Sequence, residues 1–292
     1  MMDFSRGIDH LVLSVHDLDA ARAFFASAGF TLTPRAEHPF GTSNHLALLD
    51  GNFLELLATS APEKIPPHGA GRFSLPAHHQ ALLHRRQGLS FVVLFSDDVR
   101  RDHAGFLAGG LPASEPLDFS RLARQPNGRD ATMSFSIVIV ADPAMADAPH
   151  FICQQHTPEY FWHAEYQRHA NGARQISEVV LVAERPEELA PYYAALVAPN
   201  AVHGAERRLL VETSRGRIVV LTPDALAQRF EGVPAPLYAP LPYIAGLQVR
   251  TSDLPGAAAC LARAGIAHVR RGDAVRIGPN EAFGAILEFV AG

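Results

Sequence analysis

One order of hydrophobic and helical segments occurs four times along this chain. An apolar, β-rich run over residues 8–15 leads through His16-Asp17-Leu18 into a helical stripe of Ala20, Ala21, Phe24, Phe25 and Ala28. The stripe stops at Gly29, and Phe30 begins a new extended segment. The same order returns at 89–96, followed by Asp97-Asp98, a helix and Gly109-Gly110-Leu111. It returns at 176–183, with Pro186 near a first helical turn and the helix running through Leu189 to Leu196. It returns last at 244–251, with Ser252 or Asp253 as N-cap and Ala264-Gly265-Ile266 as the stop. A Ser or Asp before a helix satisfies its free amides, and a first-turn Pro has no amide to leave free.

Each helix is followed by further strand-like runs. They cover 30–33, 45–49 and 53–58 in the first unit, with Asp50-Gly51-Asn52 as a tight hairpin, and 131–140 and 150–155 in the second. In the third they cover 208–213 and 216–221, joined around Ser214-Arg215, and in the fourth 268–270, 274–277 and 285–290. The first strands begin at Ile8, Leu89, Ile176 and Ile244, so 81, 87 and 68 residues separate them. That spacing fits duplication and is too irregular for a solenoid, and several strands per helix argue against a doubly wound parallel sheet. The expectation is an α+β fold of four βαβββ modules: 7–60 and 88–157 in a domain over 1–168, then 175–223 and 243–291 in a domain over 174–292. Pro- and Gly-rich stretches at 62–71, 112–128 and 233–242 read as surface loops, and 167–175 as the joint between the two domains.

Composition narrows the partners. With 292 residues, 48% hydrophobic, 19% charged and a net charge of −5, the chain lacks the basic stripe a nucleic-acid partner wants, its 24 arginines and single lysine being scattered. No segment has the 18 or more apolar residues of a membrane span. Residues 1–7 contain Asp3 and run into a strand, which does not read as a signal peptide. Cys153 and Cys260 lie far apart, in keeping with a reducing cytoplasm. A small molecule is the expected partner, and a homodimer is plausible on general grounds.

Certain segments carry a resemblance: Ile8-Asp9-His10-Leu11-Val12, residues 38–46, Phe53-Leu54-Glu55-Leu56-Leu57, residues 151–156 and 169–173. With the fourfold module pattern, they resemble the vicinal oxygen chelate superfamily, which includes glyoxalase I, extradiol dioxygenases and bleomycin-resistance proteins. Within it the chain is similar to glyoxalase-like bacterial proteins. The resemblance implies two glyoxalase-like domains, in which paired modules curl eight strands into an open, cup-shaped sheet around a ligand. It also implies one metal ligand from the first and one from the last strand of each module. Those are His10 and Glu55 in the first module, a set suited to one divalent ion such as Zn, Ni, Mn or Fe(II). Glu55 would also be the catalytic base of a lyase or isomerase.

The other modules depart from the pattern. Register places Phe91 opposite His10 in the second module and Cys153 opposite Glu55, or Gln154 after a slip of one. Glu178 and Gly246 hold the His10 position in the third and fourth modules, and Val220 and Glu288 the Glu55 position, so the second domain reads as structural. The ligand-binding candidates are Asn44, Phe91, Cys153, Gln154, His156 and Trp162. The segment from His156 to His163 reads equally as a cap on the cup mouth or as an inter-domain clamp. Thirteen of the 15 histidines precede residue 170, but His10 alone is singled out. The rest, with His78, His79 and His84 among them, read mostly as surface. The alternative function is a metal-free binding or sequestering protein of the bleomycin-resistance kind, which the apolar Phe91 favours. Extradiol ring cleavage would need two His and one Glu in the second pair of modules, where Glu178 and Gly246 stand instead.

Overall fold

The structure, a computed structural model, describes residues 6–69 and 73–292. The readings of residues 1–5 and of 70–71 in the loop at 62–71 lie outside that range. The first half runs β1 (Ile8–Ser14), α1 (Leu18–Ser27), β2 (Ala36–Glu37), β3 (Thr42–Leu48), β4 (Phe53–Thr59), α2 (Leu75–Leu83), β5 (Gly88–Phe95), α3 (Val99–Ala108), β6 (Leu117–Arg124), β7 (Asp130–Val140) and β8 (His150–Gln155). The second runs β9 (Ala173–Val182), α4 (Ala190–Leu196), β10 (Val202–Ala205), β11 (Arg208–Glu212), β12 (Arg217–Leu221), α5 (Pro223–Arg229), β13 (Tyr243–Thr251), α6 (Leu254–Arg263), β14 (Val269–Arg271), β15 (Ala274–Ile277) and β16 (Ile286–Ala291). The strands form two mixed eight-stranded sheets of identical order, β2-β3-β4-β1-β5-β8-β7-β6 and β10-β11-β12-β9-β13-β16-β15-β14. The first strand of each module pairs in parallel with its last, and paired modules meet along antiparallel β1–β5 and β9–β13.

Helix starts follow the expected chemistry. The Asp17 carboxylate accepts from the Ala20 amide, and Asp253, rather than Ser252, caps α6 by accepting from Gly256. Gly29 ends α1 at φ +92°, where a side chain would be strained. Two expectations are corrected, and one helix is unanticipated. Residues 30–33 form no strand, and β2 lies further on. The stretch at 112–128 contains β6, and a helix, α2, follows the loop at 62–71.

The central strands are buried on both faces; every residue of β1 is buried. Leu11, Leu13, Leu54, Leu56, Val92 and Leu94 from the first sheet join Ile176, Val179, Leu181 and Val220 from the second in one apolar cluster, together with residues of α1, α3, α4 and α6. The opposite faces line two separate interiors, one per sheet. The halves are also tied by polar contacts. The Asn52 side chain accepts from the Ile176 amide and donates to the Ile176 carbonyl, both at 2.9 Å.

The second interior is filled. Leu226 and Phe230, from α5 and the residue after it, pack against Val180, Val182, Val219 and Tyr243. Glu178 and Glu288 are occupied by arginines: Arg217 reaches Glu178, Arg229 reaches both carboxylates, and Arg276 reaches Glu288 at 2.9 Å, where Gln248 also donates at 2.7 Å. Pairing places Val219, not Val220, at the Glu55 position of the third module, since Val12 lies beside Glu55 and Val180 beside Val219. A shift of one residue turns a side chain to the opposite face. Burial pushes the Glu288 carboxyl up, but the Arg229 charge and the hydrogen bonds from Gln248, Arg276 and Arg229 outweigh it and hold it below the usual value of 4.5. Its stabilisation is therefore present above pH 4.5 and is lost as the pH falls below it. Glu288→Gln is expected to cost about 3 kcal/mol at pH 7 by leaving the partly buried Arg229 and Arg276 short of a counter-charge. Urea unfolding at pH 7 and pH 4 checks this: the gap to wild type should narrow at the lower pH.

Candidate functional site

The first interior is a cup with about 700 Å³ of space including its open mouth. Its walls are aromatic: Phe40, Phe53, Phe91, Phe119, Phe135, Phe151 and Phe161 all line it. The polar side chains His10, His38, Thr42, Asn44, Glu55, Arg121, Cys153 and Gln155 interrupt them. Strand alternation delivers most of these, since His10 and Val12, Asn44 and Leu46, Phe53 and Glu55, and Phe119 and Arg121 are spaced by two.

His10 and Glu55 come together as expected. The His10 ring stacks on Phe53 with centroids 4.3 Å apart, and its Nδ1 lies 2.6 Å from the Asp9 carboxylate. That contact depends on an irregularity in the β1–β5 pairing between Ile8 and His10, where Asp9 has no partner across the ladder. In a regular strand Asp9 and His10 would point to opposite faces; a bulge re-aims side chains. Asp9 is held from the other side by Gln155, which donates at 3.2 Å and accepts from the Trp162 indole at 3.1 Å. His10 Nε2 then faces Glu55 Oε2 at 3.6 Å, too far for a hydrogen bond. Asn44 donates to the other carboxylate oxygen at 2.6 Å, and His38 Nε2 stands 3.8 Å from it.

The electrostatics separate the rings. Burial, then the Arg121 charge, pushes His38 down to about 3, so it is neutral at physiological pH. Burial likewise drives His79 to about 3, with its Nδ1 at 2.7 Å from the Ser14 hydroxyl. Burial pushes the Cys153 thiol up, which keeps it protonated and a poor ligand.

The expected ligand residues divide by strand face. Asn44, Phe91 and Cys153 line the cup. Trp162 stands behind Phe53 and Phe161, at centroid distances of 6.1 and 5.0 Å. Gln154 does not face the cup: as the neighbour of Cys153 it turns outward, donating to the Asp97 carbonyl and accepting from the Val99 amide. His156 also lies outside, against Ser136 at 2.7 Å. Pairing places Val12 beside Glu55 and Phe95 beside Cys153, so if Cys153 matches Glu55 the counterpart of His10 is Val93, not Phe91. Sequence reasoning missed Asp9, His38, Arg121 and Gln155. Nothing in the run 38–46 marks its first histidine as facing the cup, whereas the two-residue alternation from Cys153 signals Gln155. The surface reading of the other histidines fails in four places: His45, His78, His79 and His150 are buried like His10, while only His16, His68, His84, His156 and His203 are exposed.

A profile of the glyoxalase-like domain matches residues 8–197. The chain belongs to the glyoxalase-like domain family. The match spans the first sheet and continues through β9 and α4 of the second. No curated protein sequence matches this glyoxalase-like chain. Among solved structures it is similar to a hypothetical protein from Staphylococcus aureus, with TM-score 0.68 and 12% identity over 98% of this chain and 99% of that one. It is also similar to a mutant of 4-hydroxymandelate synthase from Streptomyces coelicolor, with TM-score 0.57, 13% identity, and coverage of 99% and 93%. A xylose isomerase-like TIM barrel/4-hydroxyphenylpyruvate dioxygenase fusion protein matches with TM-score 0.53 and 11% identity over 99% of this chain and 49% of its own. At these identities the likeness is one of fold. No helix among the described residues is long and apolar enough to cross a membrane.

Among the described residues no group of three or more His, Cys, Asp or Glu side chains has metal-holding spacing. The donor chemistry of the pair nevertheless fits a divalent ion. His10 Nε2 and Glu55 Oε2 make no hydrogen bond within the described residues and face each other across 3.6 Å. Asp9 behind the ring fixes its orientation, as outer carboxylates do for metal-bound histidines. Unfolded histidines protonate near 6.5, so His38 and His79 contribute stability at neutral pH that is lost as the pH falls from 6.5 towards 3. NMR of the chelator-treated protein is expected to show both rings neutral down to about pH 4; a His79 ring titrating near 6.5 would contradict its buried position.

Proposed function

We propose that the first cup is the working site of a metal-dependent lyase or isomerase acting on a small oxygenated molecule, with His10 and Glu55 holding one divalent ion. The observation that carries this reading is the pair of open donor atoms, His10 Nε2 and Glu55 Oε2, in a cavity otherwise walled by phenylalanines. A bound ion would supply Lewis-acid polarisation of a ligand oxygen. The chain's own residues do the rest. The phenylalanines exclude water and hold an apolar body. Asp9 orients His10, and Asn44 fixes the Glu55 carboxylate through one oxygen, leaving the other to hold the ion or, when released from it, to take a proton. His38, neutral and 3.8 Å from the carboxylate oxygen that Asn44 holds, adds a second uncharged polar ring to this end of the cup.

Metal analysis tests this. Reconstituted protein is expected to hold about one divalent ion per chain, and His10→Ala with Glu55→Ala to hold none. A protein that takes up no metal under any reconstitution overturns the reading. One observation favours a second reading, a metal-free binding protein. The half of the cup opposite His10 and Glu55 offers Phe91, Phe151 and a protonated Cys153 where further ligands would stand. That protein would gain thermal stability from its ligand equally with and without chelator.

A further inference from the structure

Arg121 is the one buried arginine among the described residues, at 8% exposure, and it lines the cup from β6. Elsewhere in the chain arginines of low exposure have counter-charges: Arg6 pairs with Asp102 at 2.8 Å, and Arg276 with Glu288 at 2.9 Å. Among the described residues the Arg121 side chain makes no hydrogen bond and has no carboxylate within 4.0 Å, the Glu55 charge acting on it only across the cavity; its guanidinium carbon lies 5.8 Å from the Phe135 ring. Glu55 shares the cavity, but one of its oxygens is taken by Asn44 and the other faces His10. The guanidinium stays charged in any protein interior, and leaving such a charge buried and unpaired costs several kcal/mol. A site that bears this cost in the absence of ligand gains from a ligand that supplies the missing anion.

We infer that Arg121 is a specificity-determining residue that receives the carboxylate of a small aromatic or apolar acid bound in the cup. This rests on the reading of the cup as a ligand site and adds the class of ligand. The planar fork of a guanidinium matches a carboxylate through two parallel hydrogen bonds, and one unpaired positive charge in a largely phenylalanine-walled cup balances a monoanion rather than a dianion. The stacked pair Phe119 and Phe135, with centroids 5.3 Å apart, stands beside the guanidinium to receive the apolar part.

The test uses phenylacetate and its neutral isostere phenylacetamide, titrated against the fluorescence of Trp162, the only tryptophan in the chain, which packs on Phe161 and Phe53 of the cup wall. In chelator-treated protein phenylacetate is expected to bind about 10- to 100-fold more tightly than phenylacetamide, the span of a charge-assisted hydrogen bond. Arg121→Met should erase that preference by weakening phenylacetate far more than phenylacetamide, and Arg121→Lys should retain part of it. Arg121→Met removes a buried charge, so a cooperative melt at or above the wild-type Tm is expected and confirms that it folds. Equal affinity for acid and amide in the wild type, no binding of phenylacetate, or a preference that survives Arg121→Met each overturn the inference. A preference that appears only in metal-loaded protein and ignores Arg121→Met also overturns it, assigning the carboxylate to the ion while leaving the metal reading intact. Absence of metal uptake together with an Arg121-dependent preference does the reverse.

Discussion

The two sheets share one apolar core, and the rest of the molecule follows from that. Each central strand spends one face on it: Leu11 and Leu13 of β1, Leu54 and Leu56 of β4, Val179 and Leu181 of β9 all meet there with the helices. Neither sheet can expose that face, so the second pair of modules backs the first whether or not it has chemistry of its own. The family match ends inside the second half, after β9 and α4, both of which contribute to this core. The inner faces are relieved of holding the halves together, and they have diverged. One is filled by Leu226, Phe230 and a lattice of arginines and carboxylates; the other keeps a hollow.

Much of this was legible in the sequence, and the parts that were not have physical reasons. The module order showed because the central strands are apolar on both faces and flanked by capped helices. β6 did not show. Its burial alternates around a single buried residue, Arg121, which is charged, so the stretch between two Pro- and Gly-rich turns carries no hydrophobic period. The α2 helix was obscured in the same way, because His78 and His79 are core residues there with polar side chains. His10 and Glu55 could be placed by analogy, but the bulge that brings Asp9 beside His10 is a property of strand pairing, invisible in the one-dimensional pattern.

The polar groups of the cup divide into those with partners inside the protein and those without. Asp9, Asn44, Gln155 and one oxygen of Glu55 are spoken for by hydrogen bonds. His10 Nε2, Glu55 Oε2 and the Arg121 guanidinium are the groups left facing the hollow. The Asn44 carbonyl oxygen is buried without a partner as well. A cavity so apolar elsewhere concentrates these few groups in a medium where each electrostatic contact weighs more than in water.

The contact between Asn52 and Ile176 gives the molecule a gauge of its own integrity. The amide of Ile176 belongs to one sheet, yet its acceptor is a side chain at a hairpin tip of the other. Parting of the halves frees that amide proton to exchange with solvent even if every strand in both sheets stays zipped. Its exchange rate is therefore sensitive to docking, and not only to the unravelling of either sheet.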